Sequence, residues 1–502
     1  MPTVTWKNAE RLLTLLLCLA GAGAQAAENF STHSSAHSSV MGAEEARHLL
    51  NRTGFEARLA DVNAFAALDR RQAVEKLLGA TRSTALTPAP EGVAAWTPPY
   101  VRRQMAADER KLFQREQVER GLALKGWWLS EMLTTDSQLT ERMTLFWHNH
   151  FTSSLQKVRD AGLMYRQNLL LRKYALGNFA DMLRAVARDP AMLVYLDSAT
   201  NRRGQPNENF AREVMELFTL GEGRYGERDI KEAARAFTGW SIDPASGEFL
   251  WRPFQHDAGM KTVLGRSGDF QGEDVIEILL AQPATAEFVV GKLWKEFVSP
   301  QPDPAEVARI AQVFRASGYQ IKPVLRELLL SAAFWAPENR GALVKSPVEL
   351  VVGTLRQFDV AFSDPLPFVL LLRNLGQDIL SPPNVKGWPG GEAWIDTRTL
   401  LARKQFLERL MRVDEMRMTA APMERDPAKP MAARFARAMQ DLRFSAQDWM
   451  KPYGDREDAM ALVLLPLPPS QDAAPVQGAD RRFDARFDSV RAMVADPAYQ
   501  LK

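Results

Sequence analysis

Apolar residues recur three and four positions apart through most of the chain between Glu44 and Val413, the spacing of helices that each bury one face. In Asn207 to Leu220, Phe210, Val214, Leu217 and Phe218 form one stripe, and Gly221 stands where a helix needs a left-handed residue to stop. Asp229 to Thr238 repeats the logic, with Ile230, Ala233, Ala234 and Phe237 inside and Gly239 closing it. Ala284 to Phe297, Pro304 to Ala316, Lys322 to Ala333 and Pro347 to Asp359 continue the series. The pattern departs from helix between Trp240 and His256, where Asp243, Pro244, Ser246 and Gly247 make a turn between aromatic segments. The expected fold is mainly α, a multi-helical body with one short β-hairpin.

The two ends read differently. Lys7 and Arg11 precede an apolar run from Leu12 to Ala20, and Ala24-Gln25-Ala26 supplies a small-residue cleavage site, so residues 1–26 are expected to be a secretory signal peptide. Residues 27–43 are rich in Ser, Ala and His, a flexible leader that contains His33 and His37. The helical body occupies 44–413. From Asp414 to Asp480 Pro, Met, Arg and Ala dominate, and the proline-rich stretch from Leu465 to Asp480 is expected to be an exposed linker. In 481–502 a last helix places Phe487, Val490 and Val494 on one side, able to dock back on the body.

Composition narrows the classes. The chain is 46% hydrophobic and 25% charged, as ordinary globular proteins are. Its 63 basic and 61 acidic residues leave almost no net field, which argues against a nucleic-acid partner. No segment after the leader sustains the uncharged length that a membrane span needs. The single cysteine, Cys18, lies in the apolar run, so an exported mature chain has no disulfide and must rely on its core.

Four clusters could carry chemistry. In Trp147-His148-Asn149-His150, a continued helix aims His150 inward with Leu139, Met143 and Phe146 and turns His148 away. An extended chain would instead pair the two histidines for a metal; the plainer alternative is one core and one surface histidine. On the 207–220 helix, Asn209, Glu213 and Glu216 share one flank, where two carboxylates could hold a metal or divide acid and base roles, or simply pair with Arg212 or Arg235. The loop His256-Asp257-Ala258-Gly259-Met260-Lys261 gathers three ionisable groups, yet His256 could equally tie it to a helix end. The stiff loop from Ser381 to Gly391 carries Trp388, with Trp394 beyond it, and these rings, like Trp240, either pack on helices or offer flat faces to a ligand. The candidate catalytic residues are therefore His150, Glu213, Glu216, His256 and Asp257, with Asn209, Lys261, Trp240, Trp388 and Trp394 as substrate-binding candidates. No cofactor or metal identity follows from them. Gly221-Glu222-Gly223-Arg224-Tyr225-Gly226 spells a dinucleotide fingerprint but leaves a helix instead of following a strand, so it reads as a turn.

The stretches HLLNRTGF, LTERMTLFWHNHFTSS, PNENFAREVMELFTLGEGRY, EAARAFTGW and PPNVKGWPGG, in that order, resemble the bacterial family called domain of unknown function 1800. The resemblance runs from about His48 to Leu407, with an echo in the closing DPAYQLK, and departs from the usual pattern at Val214 and Gly226. It implies an exported, mostly helical protein with no established activity, often encoded beside a sulfatase-like exported protein, which is the partner it suggests. Two functions are compatible with these readings. One is an envelope hydrolase with a carboxylate and histidine site; the other is a non-catalytic envelope scaffold or partner-binding protein.

Overall fold

A computed structural model describes residues 40–413, 430–470 and 485–502, which form a mainly α-helical body. The expected signal peptide, residues 1–26, and nearly all of the expected leader, with His33 and His37, lie outside the described residues. The first helix, Gly42–Thr53, begins two residues earlier than the body was expected to, and Met41 before it is already buried.

Helix ends follow the local chemistry. Asp160, Asn178, Asp189, Asn207, Asp303 and Ser346 each accept a backbone N–H of the helix they precede, and Pro stands at the first turn after Asp189, Asp303 and Ser346. Pro304–Ala316 matches the expected bounds. The expected Lys322–Ala333 helix is instead two, Ile321–Leu330 and Ala332–Trp335, because the Ser331 hydroxyl accepts the Phe334 N–H at 3.2 Å and restarts the helix.

The 207–220 segment is helical only over Glu208–Glu216. Beyond it, Phe218 N and Leu217 N share the Glu213 carbonyl, and the Thr219 hydroxyl takes the Val214 carbonyl at 2.5 Å. This unwinding leaves the Phe218 carbonyl available to a side chain, and His150 uses it.

The expected hairpin is present, β1 Trp240–Ile242 pairing antiparallel with β2 Phe249–Trp251. A second follows, β3 Lys261–Val263 with β4 Arg266–Gly268. Its turn places Leu264 at φ +49°, a conformation that a leucine does not advertise. The Leu264 N–H is held there by the Asp229 carboxylate at 2.8 Å.

One contiguous apolar core links all these segments, from Met41 to Tyr499, with Trp128, Trp147, Trp240 and Trp294 fully buried. The core also encloses ion pairs: Arg172 binds Glu141 through two bonds of 2.6 and 2.9 Å, and Trp128 Nε1–H donates to the same carboxylate. The linker expectation for 414–480 needs correction. Residues 430–464 fold as the helices Pro430–Gln440, Ala446–Met450 and Glu457–Leu464, and Leu465 is buried. Arg47 donates to the Leu465 and Pro466 carbonyls, and Ser470 N–H to Asp496, so the start of the proline-rich run is fastened to the body. Residues 471–480 lie outside the described residues. The closing helix, Ala485–Ala495, docks as expected, with Phe487, Val490 and Val494 buried. Among the described residues no helix is long and apolar enough to cross a membrane.

Candidate functional site

The Gln138–His150 helix continues through the two histidines, so they point apart. His150 Nε2–H donates to the Phe218 carbonyl at 3.1 Å within a cage of Phe146, Trp147, Phe151, Phe179, Phe218 and Phe288 rings. Nδ1 therefore carries the lone pair, and no hydrogen-bond partner faces it. Burial, then the nearby Lys292 charge, hold the ring well below its ordinary pKa, so it stays neutral. His148, the expected surface histidine, is buried too: its ring lies 5.6 Å from Trp128 and 5.7 Å from Trp388, and desolvation lowers it to about 3. His48, which no sequence signal marked, is likewise a core histidine, donating Nε2–H to the Phe334 carbonyl at 2.8 Å.

The His256 loop is tied to a helix end. His256 Nδ1–H donates to the Thr238 carbonyl at 3.0 Å, just past the Glu227–Ala236 helix, and Asp257 N–H donates to the Thr238 hydroxyl at 2.8 Å. Two guanidinium bonds from Arg235, at 2.8 and 3.1 Å, with the Gly259 N–H, hold Asp257 down at about 2. Lys261 is buried, bound to the Gly259 carbonyl at 3.0 Å and to Asp269 at 3.1 Å. These bonds close the loop on itself, and His256, Asp257 and Lys261 are tied down rather than presented to solvent.

The tryptophans are also inward. Trp240 sits among the Phe210, Phe237 and Phe249 rings with 1% exposure, and Trp394 is buried. Trp388 is fixed by Asn149, whose Oδ1 accepts the Trp388 N–H at 2.7 Å. The binding role expected of these three rings thus meets a packing role, since no flat face is offered.

The carboxylate flank differs. Neither arginine named as a neutralising partner takes it: Arg212 binds Glu227 at 2.9 Å, and Arg235 binds Glu232 and Asp257. Glu216 accepts the Tyr225 hydroxyl at 2.5 Å, and Lys386, from the Trp388 loop, stands 4.0 Å away while bonding Glu222 at 3.0 Å. Glu213, half-buried, makes no side-chain hydrogen bond or ion pair among the described residues. Burial, then repulsion from Glu216, raise its pKa against the weaker opposing pull of Arg212 and Lys386. The Tyr195 hydroxyl is raised in turn by burial and by Glu213. Asn209, seven residues and about two turns before Glu216, is exposed and engages the helix start only through its backbone N–H.

Because the helix period turns His150 inward and a buried imidazole needs a polar partner, the sequence also predicts one cleft shared by Glu213, His150 and the His256 loop. The charges that act on each do not overlap: Lys292 on His150, Arg235 and Lys261 on Asp257, and Glu216, Arg212 and Lys386 on Glu213. Glu213 and Glu216 stay together, and Tyr195, Tyr225 and Lys386 join them. Those three escaped sequence reasoning because nothing in the spacing of residues 195, 225 and 386 says that they meet. Among the described residues no three His, Cys, Asp or Glu side chains are placed to hold a metal ion. Four surface cavities of about 170 to 460 Å³ are lined by other residues.

The fold and this site define a mainly α-helical protein whose histidine and tryptophan motifs pack the core and whose half-open ionisable cluster lies on one helix flank. The chain belongs to the family described as protein of unknown function DUF1800, whose profile matches residues 48–501. The match therefore reaches well past Leu407, through the helices of 430–464 to the closing residues. No curated protein and no solved structure is detectably similar.

Proposed function

We propose that the chain is exported and acts in the cell envelope as a hydrolase, with Glu213 as general acid and Glu216 as the second carboxylate. The observation that carries this reading is the partnerless Glu213 carboxyl, raised by burial and by Glu216, beside a Glu216 that has both a hydroxyl donor and a cation. A carboxylic acid next to a carboxylate is the pair that glycan hydrolysis uses: the acid protonates the leaving oxygen, while the carboxylate activates water or stabilises the developing cation. Residues three apart on a helix bring two such groups to one face, about 5–6 Å apart at Cβ. Tyr195 and Tyr225 supply hydroxyls beside them. Export rests on the charged start, apolar run and Ala24-Gln25-Ala26 of residues 1–26.

The test is a screen of the secreted protein and its Glu213→Gln variant on peptidoglycan, neutral glycans and sulfated glycans, reading released reducing ends. The expected result is hydrolysis of at least one polymer, lost by roughly a hundredfold or more in the variant. Equal turnover by both proteins contradicts the assignment of Glu213.

A second reading, a partner-binding protein, is favoured by Phe254 and Met260, which are 72% and 66% exposed at the two ends of the otherwise fastened His256 loop. Its partner would be the sulfatase-like exported protein that the family resemblance suggests. Loss of co-purification in a Phe254→Asp, Met260→Asp variant, with no hydrolysis by the parent, would favour that reading.

A further inference from the structure

A cavity of about 260 Å³, lined by none of the Glu213 cluster, lies between the start of the Gln138–His150 helix, the end of Ala161–Tyr174 and the start of Ile321–Leu330. Arg82, Arg172, Lys173 and Lys322 line it with the Ser83 and Thr140 hydroxyls, and none of its lining residues is acidic. Four cations around one hollow repel one another, and the structure supplies counter-charge for two. Arg172 is matched behind the wall by Glu141 through bonds of 2.6 and 2.9 Å. Arg82 is matched at the rim by Asp136 at 2.5 Å.

The two lysines are not matched. Lys173 lies over the Tyr174 ring at 5.0 Å and forms no ion pair among the described residues. Lys322 forms no ion pair among them either, and Glu327, the acid on its own helix, is five residues away and bound by Arg309 at 2.6 Å. Two positive charges thus remain on a concave surface, where the low-dielectric walls strengthen the field at the centre. The volume is below the roughly 300–1,000 Å³ of pockets for drug-sized ligands, which suits a small group. Ser83 makes no side-chain hydrogen bond among the described residues that occupies its hydroxyl hydrogen, so one neutral donor is also available.

We propose that this cavity binds a doubly charged tetrahedral oxyanion, a sulfate or phosphate group, with Lys173 and Lys322 as its counter-ions and Ser83 as a hydroxyl donor. A dianion neutralises the two unmatched lysines without disturbing either arginine pair. Lysine suits this role, as a compact ammonium reached from two sides of the group. The group can arrive as a free ion or as the phosphate monoester of a small sugar, which keeps two charges, since the site reads only the oxyanion.

The test is calorimetric titration of the full chain at about pH 8, where phosphate groups are dianions, with inorganic sulfate, inorganic phosphate and glucose 6-phosphate, against chloride at equal ionic strength. Saturable binding at one site is expected for the dianions and not for chloride. A Lys173→Ala, Lys322→Ala variant, whose substitutions are at an exposed and a half-buried position, should bind at least roughly tenfold more weakly, as each lost charge-assisted bond is among the stronger ones. Glu213→Gln should bind as the parent does, which separates this site from the proposed reaction. Tighter binding of the sugar phosphate than of free phosphate identifies the ester as the ligand, and equal binding identifies the free ion. Absence of saturable binding by all three up to about 10 mM, a level already very weak, overturns the proposal. So does a double variant that binds like the parent, or chloride that competes equally.

Discussion

Replacing Gly387 with alanine should unfasten the loop that carries Lys386 to Glu216. Gly387 has φ +81°, and a Cβ there would lie 2.2 Å from Asn149 Oδ1 and 2.7 Å from the Asn149 carbonyl oxygen. Both contacts are shorter than any real Cβ tolerates, and one of them is to backbone, so the loop or the helix end must move. The left-handed conformation alone costs alanine about 1 kcal/mol. Movement also weakens the Asn149 bond to the Trp388 N–H, 2.7 Å long, at about 1 kcal/mol, and loosens the buried Trp388 ring from His148. The sum is about 2–4 kcal/mol. Gly391 gives an internal control, because it has φ +57° but nothing within 4 Å of its would-be Cβ, so Gly391→Ala should cost only about 1 kcal/mol. Urea unfolding followed by tryptophan fluorescence measures both. If Gly387→Ala falls within about 0.5 kcal/mol of Gly391→Ala, Asn149 does not clamp the loop and the argument fails.

Glu349 is buried between Arg142 and Lys502; burial raises its carboxyl, but the two cations and the Ser346 N–H more than offset this and hold it at about 2. Its contribution is therefore present above the ordinary glutamate range and lost as pH falls toward about 2, and Glu349→Gln should cost about 3–5 kcal/mol at neutral pH by stranding two buried cations; a loss under about 1 kcal/mol would show that the pair is not needed. Asp189 behaves oppositely. Burial pushes it up to about 7 against its bonds from Met192 N–H and Gln167, so the folded state holds the proton and stability falls as pH rises from about 4 to 7. Asp189→Asn keeps an Oδ1 for both bonds, and it should remove that slope in unfolding curves measured across this range; an unchanged slope would assign the proton elsewhere. If residues 1–26 are removed on export, the intact mass of the secreted protein should correspond to a chain that begins at Ala27, and recovery of only the unprocessed chain would refute that start.

Helix was legible because its signal is redundant. Asn207, Asp303 and Ser346 announce a start, an apolar stripe runs behind each, and the segments between them cannot bury themselves otherwise. The second hairpin was not legible, since Leu264 adopts a positive φ only under the tertiary pull of Asp229. The helices of 430–464 were hidden by their proline- and arginine-rich flanks, and only the body against which Met460, Val463 and Leu464 pack makes them worth forming. At the site, the helix period placed Glu213 and Glu216 on one flank correctly, because that is a local relation. Tyr195, Tyr225 and Lys386 could not be read, for their meeting depends on one helix end and two separate loops. The histidines misled for a physical reason: an imidazole that donates to a carbonyl inside an aromatic cage has the same sequence appearance as one that serves a reaction.

The central claim, a protonatable Glu213 coupled to Glu216, is tested most directly by carbon-13 carboxyl titration of glutamate-labelled protein. Subtracting the Glu213→Gln spectrum assigns the resonance. Its midpoint should lie above the roughly 4.3 of free glutamate, because burial and Glu216 both favour the neutral acid, and should fall in Glu216→Gln, where the repelling charge is gone. A Glu213 midpoint at or below the free value, unmoved by Glu216→Gln, would contradict the acid and carboxylate pair.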